Sequence, residues 1–169
     1  MGASSWTYLT PYQANIQEAL QGLRQVIFQQ GAYYTEEAFI NAIDEEEVSK
    51  GLSPEYAQVF RQALQDLRSE PQPSSPQTID ELLERNAESG THSILDIDTV
   101  SETPGFGKVA PLTEQKLLEM FDTTQPTWNM IETKIEEIQA LRERWMGTYI
   151  IVYQDGLPNQ ILFTGFSGD

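Results

Sequence analysis

A chain of 169 residues with no Cys, one His and 26 Asp plus Glu against 10 Lys plus Arg carries a formal charge of −16. The lack of Cys excludes disulfides, thiolate catalysis and thiolate-held zinc. Ten scattered bases, the densest group being Arg142 and Arg144 beside Glu143, offer no clustered cationic surface, which argues against nucleic acid and against anionic membranes.

The length suits one domain, and 39% hydrophobic residues with seven Phe, seven Tyr and three Trp are enough for a core. No run approaches the roughly 18 apolar residues of a membrane span. Met1 to Tyr12 lacks the basic and apolar regions of a secretion signal, so a cytoplasmic location is expected.

Ser5 to Leu9 (SWTYL) predicts a short strand, and Thr10-Pro11 a helix start. Ile16, Ala19, Leu20, Leu23, Val26 and Ile27 recur at helical spacing, which predicts an amphipathic helix over 14–30 closed by Gly31 in a left-handed cap. Glu36 to Val48 predicts a second helix, with Asp44, Glu45, Glu46 and Glu47 at the unfavourable end of its dipole. Ser53 as N-cap and Pro54 open a third, running to Arg68 with Tyr56, Val59, Phe60, Ala63, Leu64 and Leu67 turned inward.

Glu70 to Gln77 (EPQPSSPQ) has three prolines in eight residues. It can neither continue a helix nor enter a sheet interior, and it reads as a surface connection within one domain. Thr78 caps a short helix that ends by Gly90. Thr91 to Val100 (THSILDIDTV) predicts a strand, Thr113 and Thr127 open helices to about Phe121 and Trp145, and TYIIVY–Asp155-Gly156–QILFT predicts an antiparallel hairpin. The whole chain, 1–169, is thus expected to form one α+β domain: a small, mainly antiparallel sheet of about four strands, ending in the hairpin, with helices packed on one face.

Three constellations carry candidate chemistry. In an extended 91–100, His92, Asp96 and Asp98 share one face, with Asp96 and Asp98 about 6.5–7 Å apart and His92 about 13 Å from Asp96. The two carboxylates could meet a hard divalent cation, and His92 could act as acid or base near neutrality. A Ser-His-Asp relay would need a serine from elsewhere, such as Ser4, Ser5 or Ser167, and no nucleophile-elbow motif nominates one. Gly105-Phe106-Gly107-Lys108 fails the phosphate-loop spacing, with Val109 where Ser or Thr is needed. Third, Tyr33 and Tyr34 rimmed by Glu36, Glu37, Glu45, Glu46 and Glu47 form an aromatic and acidic patch suited to a basic protein partner.

Gly2-Ala3-Ser4-Ser5-Trp6, Pro11-Tyr12-Gln13, Ala19-Leu20, Leu23-Arg24, Gly90-Thr91-His92-Ser93-Ile94-Leu95-Asp96 and Ser167-Gly168-Asp169 resemble a largely uncharacterised family of small bacterial proteins from actinobacteria and cyanobacteria. The matches span the chain except about 35–75. The resemblance implies a bacterial protein and transfers no activity, but it draws Gly90 to Asp96 and the terminal Ser-Gly-Asp together as one site.

Weighing these, the chain reads as a non-enzymatic, acidic binding module, of inhibitor or immunity type, that covers a basic protein partner and needs no cofactor. The alternative is a small enzyme using His92 as acid/base, or Asp96 and Asp98 with a divalent cation, helped by Ser167 and Asp169. A structural subunit of a larger assembly is a third reading.

Overall fold

A computed structural model describes residues 4–70 and 74–168. In chain order the elements are β1 (Ser5–Pro11), α1 (Ile16–Gln29), α2 (Glu36–Ala42), α3 (Glu45–Ser49), α4 (Pro54–Ser69), α5 (Ile79–Arg85), a 3-10 turn (Ile94–Asp96), β2 (Thr99–Val100), β3 (Lys108–Pro111), α6 (Glu114–Phe121), α7 (Trp128–Ile131), a second 3-10 turn (Glu132–Lys134), α8 (Ile135–Gln139), β4 (Met146–Gln154) and β5 (Leu157–Phe166). The α+β class is borne out. The chain divides into two compact units, residues 1–33 with 78–169 and residues 34–77. Among the described residues no helix is long and apolar enough to cross a membrane.

The first unit is built on a five-stranded sheet of order β1-β5-β4-β3-β2. Pairing is antiparallel through β1-β5-β4 and parallel through β4-β3-β2. The hairpin forms as expected. Asp155 and Gly156 both take positive φ, 53° and 77°, the backbone of the tight turn whose twist matches its strands.

Helices cover both faces of the sheet rather than the single face expected. Along β5, Ile161 and Phe163 join Trp6, Val109, Leu20, Ile27 and Leu82 on one side. The intervening Leu162 joins Ile150, Val152, Phe121, Ile131 and Ile138 on the other. A strand buried on both sides reads as a near-continuous apolar run, as ILF does, because alternation then carries no polar member.

The second unit is the trio α2, α3 and α4. The single helix expected over Glu36 to Val48 is two helices. Ile43 is extended, and the Asp44 carboxylate accepts the Glu47 N–H at 3.0 Å to cap a new helix. The correction reverses the electrostatics: Glu45, Glu46 and Glu47 lie in the first turn of α3, where the helix dipole favours negative charge.

Ser53 caps α4 as expected, accepting from Tyr56 N–H, with Pro54 in the first turn. The inward set on α4 is corrected, because only Ala57 and Leu64 are buried. Tyr56, Val59 and Leu67 are 70%, 63% and 44% exposed. Two helices of seven and five residues cannot cover the whole apolar side of one of sixteen.

Arg68 closes this trio by donating to the Ile40 and Ile43 carbonyls at 3.3 and 2.8 Å, satisfying acceptors that the end of α2 leaves open. Arg68→Ala is expected to weaken that end by about 0.5–1 kcal/mol, since the bonds are exposed. Hydrogen exchange checks it: amides at 40–43 should exchange about 2–5 times faster, with those of β4 and β5 unchanged.

Candidate functional site

The stretch Thr91 to Val100 is not a strand for most of its length. The Ser93 hydroxyl accepts from Leu95 N–H at 3.2 Å and from or to Thr91 Oγ1 at 2.9 Å, bending the chain into the 3-10 turn. Extended pairing begins only at Thr99. The alternation that placed His92, Asp96 and Asp98 on one face therefore does not apply. Asp96 is buried, at 7% exposure, beside Ile94, Leu95 and Ile97, whereas Asp98 is exposed and its Oδ1 accepts from Thr99 Oγ1 at 2.8 Å. His92 is half-buried, with φ at 53°, a left-handed conformation rare for a residue carrying a side chain. Among the described residues no group of three or more His, Asp or Glu gathers that could hold a metal ion.

The turn does bring distant segments together. Asp96 Oδ1 accepts from Thr91 N–H at 2.8 Å, and its Oδ2 from Gly168 N–H at 3.3 Å. Ser167 N–H donates to the Ser4 carbonyl at 2.9 Å. Gly90, at φ 67°, leaves the room this requires, since a Cβ there would lie 2.9 Å from Asp96 Oδ2 and 3.0 Å from Gly168 N. The segment Gly90 to Asp96 and the Ser-Gly end thus meet, with Asp96 as the staple; Asp169 lies outside the described residues.

Burial raises the carboxyl pKa of Asp96, opposed by its bonds to Thr91 and Gly168 and by the charge of His92. Ser167 is fully buried, so a hydrolytic role for its hydroxyl would require this junction to open.

Sequence reasoning missed the residues that hold the turn from outside. Gln17, Gln21 and Arg24 lie one or two helical turns apart on α1. Gln17 and Gln21 both donate to the Asp98 carbonyl, at 2.9 and 2.7 Å, and Gln17 Oε1 accepts from Val100 N–H at 2.7 Å. Arg24, 7% exposed, donates to the Leu95 carbonyl at 3.1 Å and to Gln21 at 2.9 Å. Burial lowers its pKa, partly offset by Asp98, Asp80 and Asp96. The signal was present as a polar i, i+4, i+7 row beside the apolar stripe, but such a row ordinarily faces solvent.

The Gly105 to Lys108 loop is a turn tied to its neighbours: Gly107 N–H donates to the Trp145 carbonyl at 2.8 Å, and Phe106, 69% exposed, packs its ring on Trp145 at 5.1 Å.

The division between units falls between Tyr33 and Tyr34. Tyr33 is half-buried against the core of the first unit and stacks on Phe28 at 5.7 Å. Tyr34 pairs with Phe39 at 6.0 Å in the second unit.

The acidic members all belong to the second unit. Glu36, Glu46 and Glu47 are exposed, and Glu37 and Glu45 half-buried. Glu47 meets Lys50 at 2.6 Å and Glu45 meets Arg61 at 3.4 Å, surface pairs worth at most about 1 kcal/mol each.

No family model, curated protein or solved structure matches the chain.

Proposed function

We propose that the protein is an acidic binding module whose second unit docks a basic protein partner, as an inhibitor or immunity-type protein would. One observation carries this reading. Residues 34–77 hold nine carboxylates against three bases, a net charge of −6, and all three bases are engaged within the unit. Lys50 faces Glu47, Arg61 faces Glu45, and Arg68 is spent on the Ile40 and Ile43 carbonyls. The outward field of the unit is therefore negative. Such a field speeds encounter with a cationic surface and repels nucleic acid and anionic membrane. Tyr34 and the 56%-exposed Phe39 supply aromatic contact area beside it.

The test is capture of a partner from a lysate of the source organism at low salt, with the triple charge reversal Glu45→Lys, Glu46→Lys, Glu47→Lys as comparison. A specific complex is expected that dissociates as salt rises from about 0.05 M to about 0.5 M, where screening shortens to a few ångströms, and that the reversal weakens about tenfold or more. Capture indifferent to both salt and reversal, or no capture, would count against the reading.

A further inference from the structure

The apolar side of α4 is wider than the surface α2 and α3 cover. On a helical projection Ala57 and Leu64, the buried pair, point one way. Tyr56, Val59, Ala63 and Leu67 form a second row about 100° away, and all four are exposed. The row runs over twelve residues, Tyr56 to Leu67, about 16 Å or three turns, and its 59-63-67 spacing is the ridge that packs into the groove of another helix. Exposed apolar side chains scattered singly need no account, but a continuous row does.

The charges beside this row have one sign. Glu55 and Asp66 lie near its two ends along the border away from Ala57 and Leu64 and are exposed, Asp66 holding Gln62 at 2.8 Å. The two arginines of α4 are turned to the opposite side, onto Glu45 and the carbonyls of Ile40 and Ile43. A second copy of the chain laid antiparallel on the row would bring Glu55 of one against Asp66 of the other, like charges at close range.

We infer that the Tyr56-Val59-Ala63-Leu67 row is the seat of an amphipathic helix with Lys or Arg along one border of its apolar face, borne by the partner. This rests on the acidic-module reading and adds the partner's chemistry and secondary structure. The apolar row supplies desolvated contact, while Glu55 and Asp66 fix the partner's orientation.

The probe is a Leu/Lys peptide of about 14 residues patterned as an amphipathic helix, long enough to match the row, with a scrambled peptide of the same composition. Binding is read by calorimetry and helix content by circular dichroism, for the full chain and for Val59→Ser and Leu67→Ser; both positions are exposed, so folding should be unchanged. The patterned peptide is expected to bind at least tenfold tighter than the scrambled one and to gain helix on binding. Each serine variant should lose about fivefold or more, and Glu55→Lys with Asp66→Lys a similar factor.

Equal, salt-sensitive binding of both peptides, abolished by reversal at Glu45 to Glu47, would overturn this inference and leave the acidic-module reading standing. Binding of neither peptide at low salt would count against both. Dimerisation of the full chain that Val59→Ser relieves would overturn it in favour of a second copy.

Discussion

Gly165→Ala is expected to destabilise the first unit by about 3 kcal/mol, at the upper end of the range for overpacking a core, lowering its melting temperature by about 6–12 °C. Gly165 sits in β5 opposite Trp6 of β1 and Gly147 of β4. A Cβ there would lie 2.4 Å from the Met146 carbonyl oxygen, 2.7 Å from Gly147 Cα and 2.7 Å from the Trp6 ring. Two of these three neighbours are backbone atoms of the adjoining strand, which cannot give way as a side chain tip can. Gly147 stands under the same indole, its own Cβ position 2.6 Å from it. The glycine pair is thus the floor on which Trp6, 4% exposed, is laid across the sheet. Thermal unfolding followed by near-ultraviolet circular dichroism measures the effect, and a shift of less than about 2 °C would sink the account.

Asp96→Asn is expected to cost about 2 kcal/mol at neutral pH, because an amide NH₂ replaces one of two oxygens that accept from backbone N–H groups, leaving a buried donor unpaired. The penalty has a pH dependence whose sign follows from burial. The Asp96 carboxyl is raised above its ordinary value in the folded chain. A folded state with the higher pKa binds the proton first, so it gains stability as pH falls through the raised value, and the gain is complete below the ordinary carboxylate value near 4. Asn does not titrate. The difference between wild type and Asp96→Asn should therefore widen on acidification across that window. Paired urea titrations at several pH values measure it. A difference that narrows in acid would show that the bonds from Thr91 and Gly168 outweigh desolvation.

Local signals that were legible in the sequence are those whose cause is also local. The hairpin follows from two β-rich runs around Asp155-Gly156, and the helix starts at Ser53, Thr78 and Thr113 follow from side chains that reach N–H groups three residues on. The stretch Thr91 to Val100 misled because period-two patterning is a statement about sheets. Asp96 is held inward by the amides of Thr91 and of Gly168, the latter 72 residues away, and the second of these partners is not visible in local sequence. The long helix expected from Thr127 to Trp145 is instead α7, a 3-10 turn and α8, and Trp145 takes φ 63° just before β4. The acidic segment was legible as composition. Its restart at Asp44 required noticing that an Asp followed by Glu three positions later is a capping pattern.

The second unit interrupts the first between α1 and α5, whose Ile27 and Leu82 share one apolar cluster. The 44 intervening residues are a tether that the refolding chain must close before α5 can join α1. Tether closure grows with the logarithm of length, so exchanging residues 34–77 for a short Gly/Ser bridge should hasten refolding of the sheet unit more than it changes the rate at which that unit comes apart.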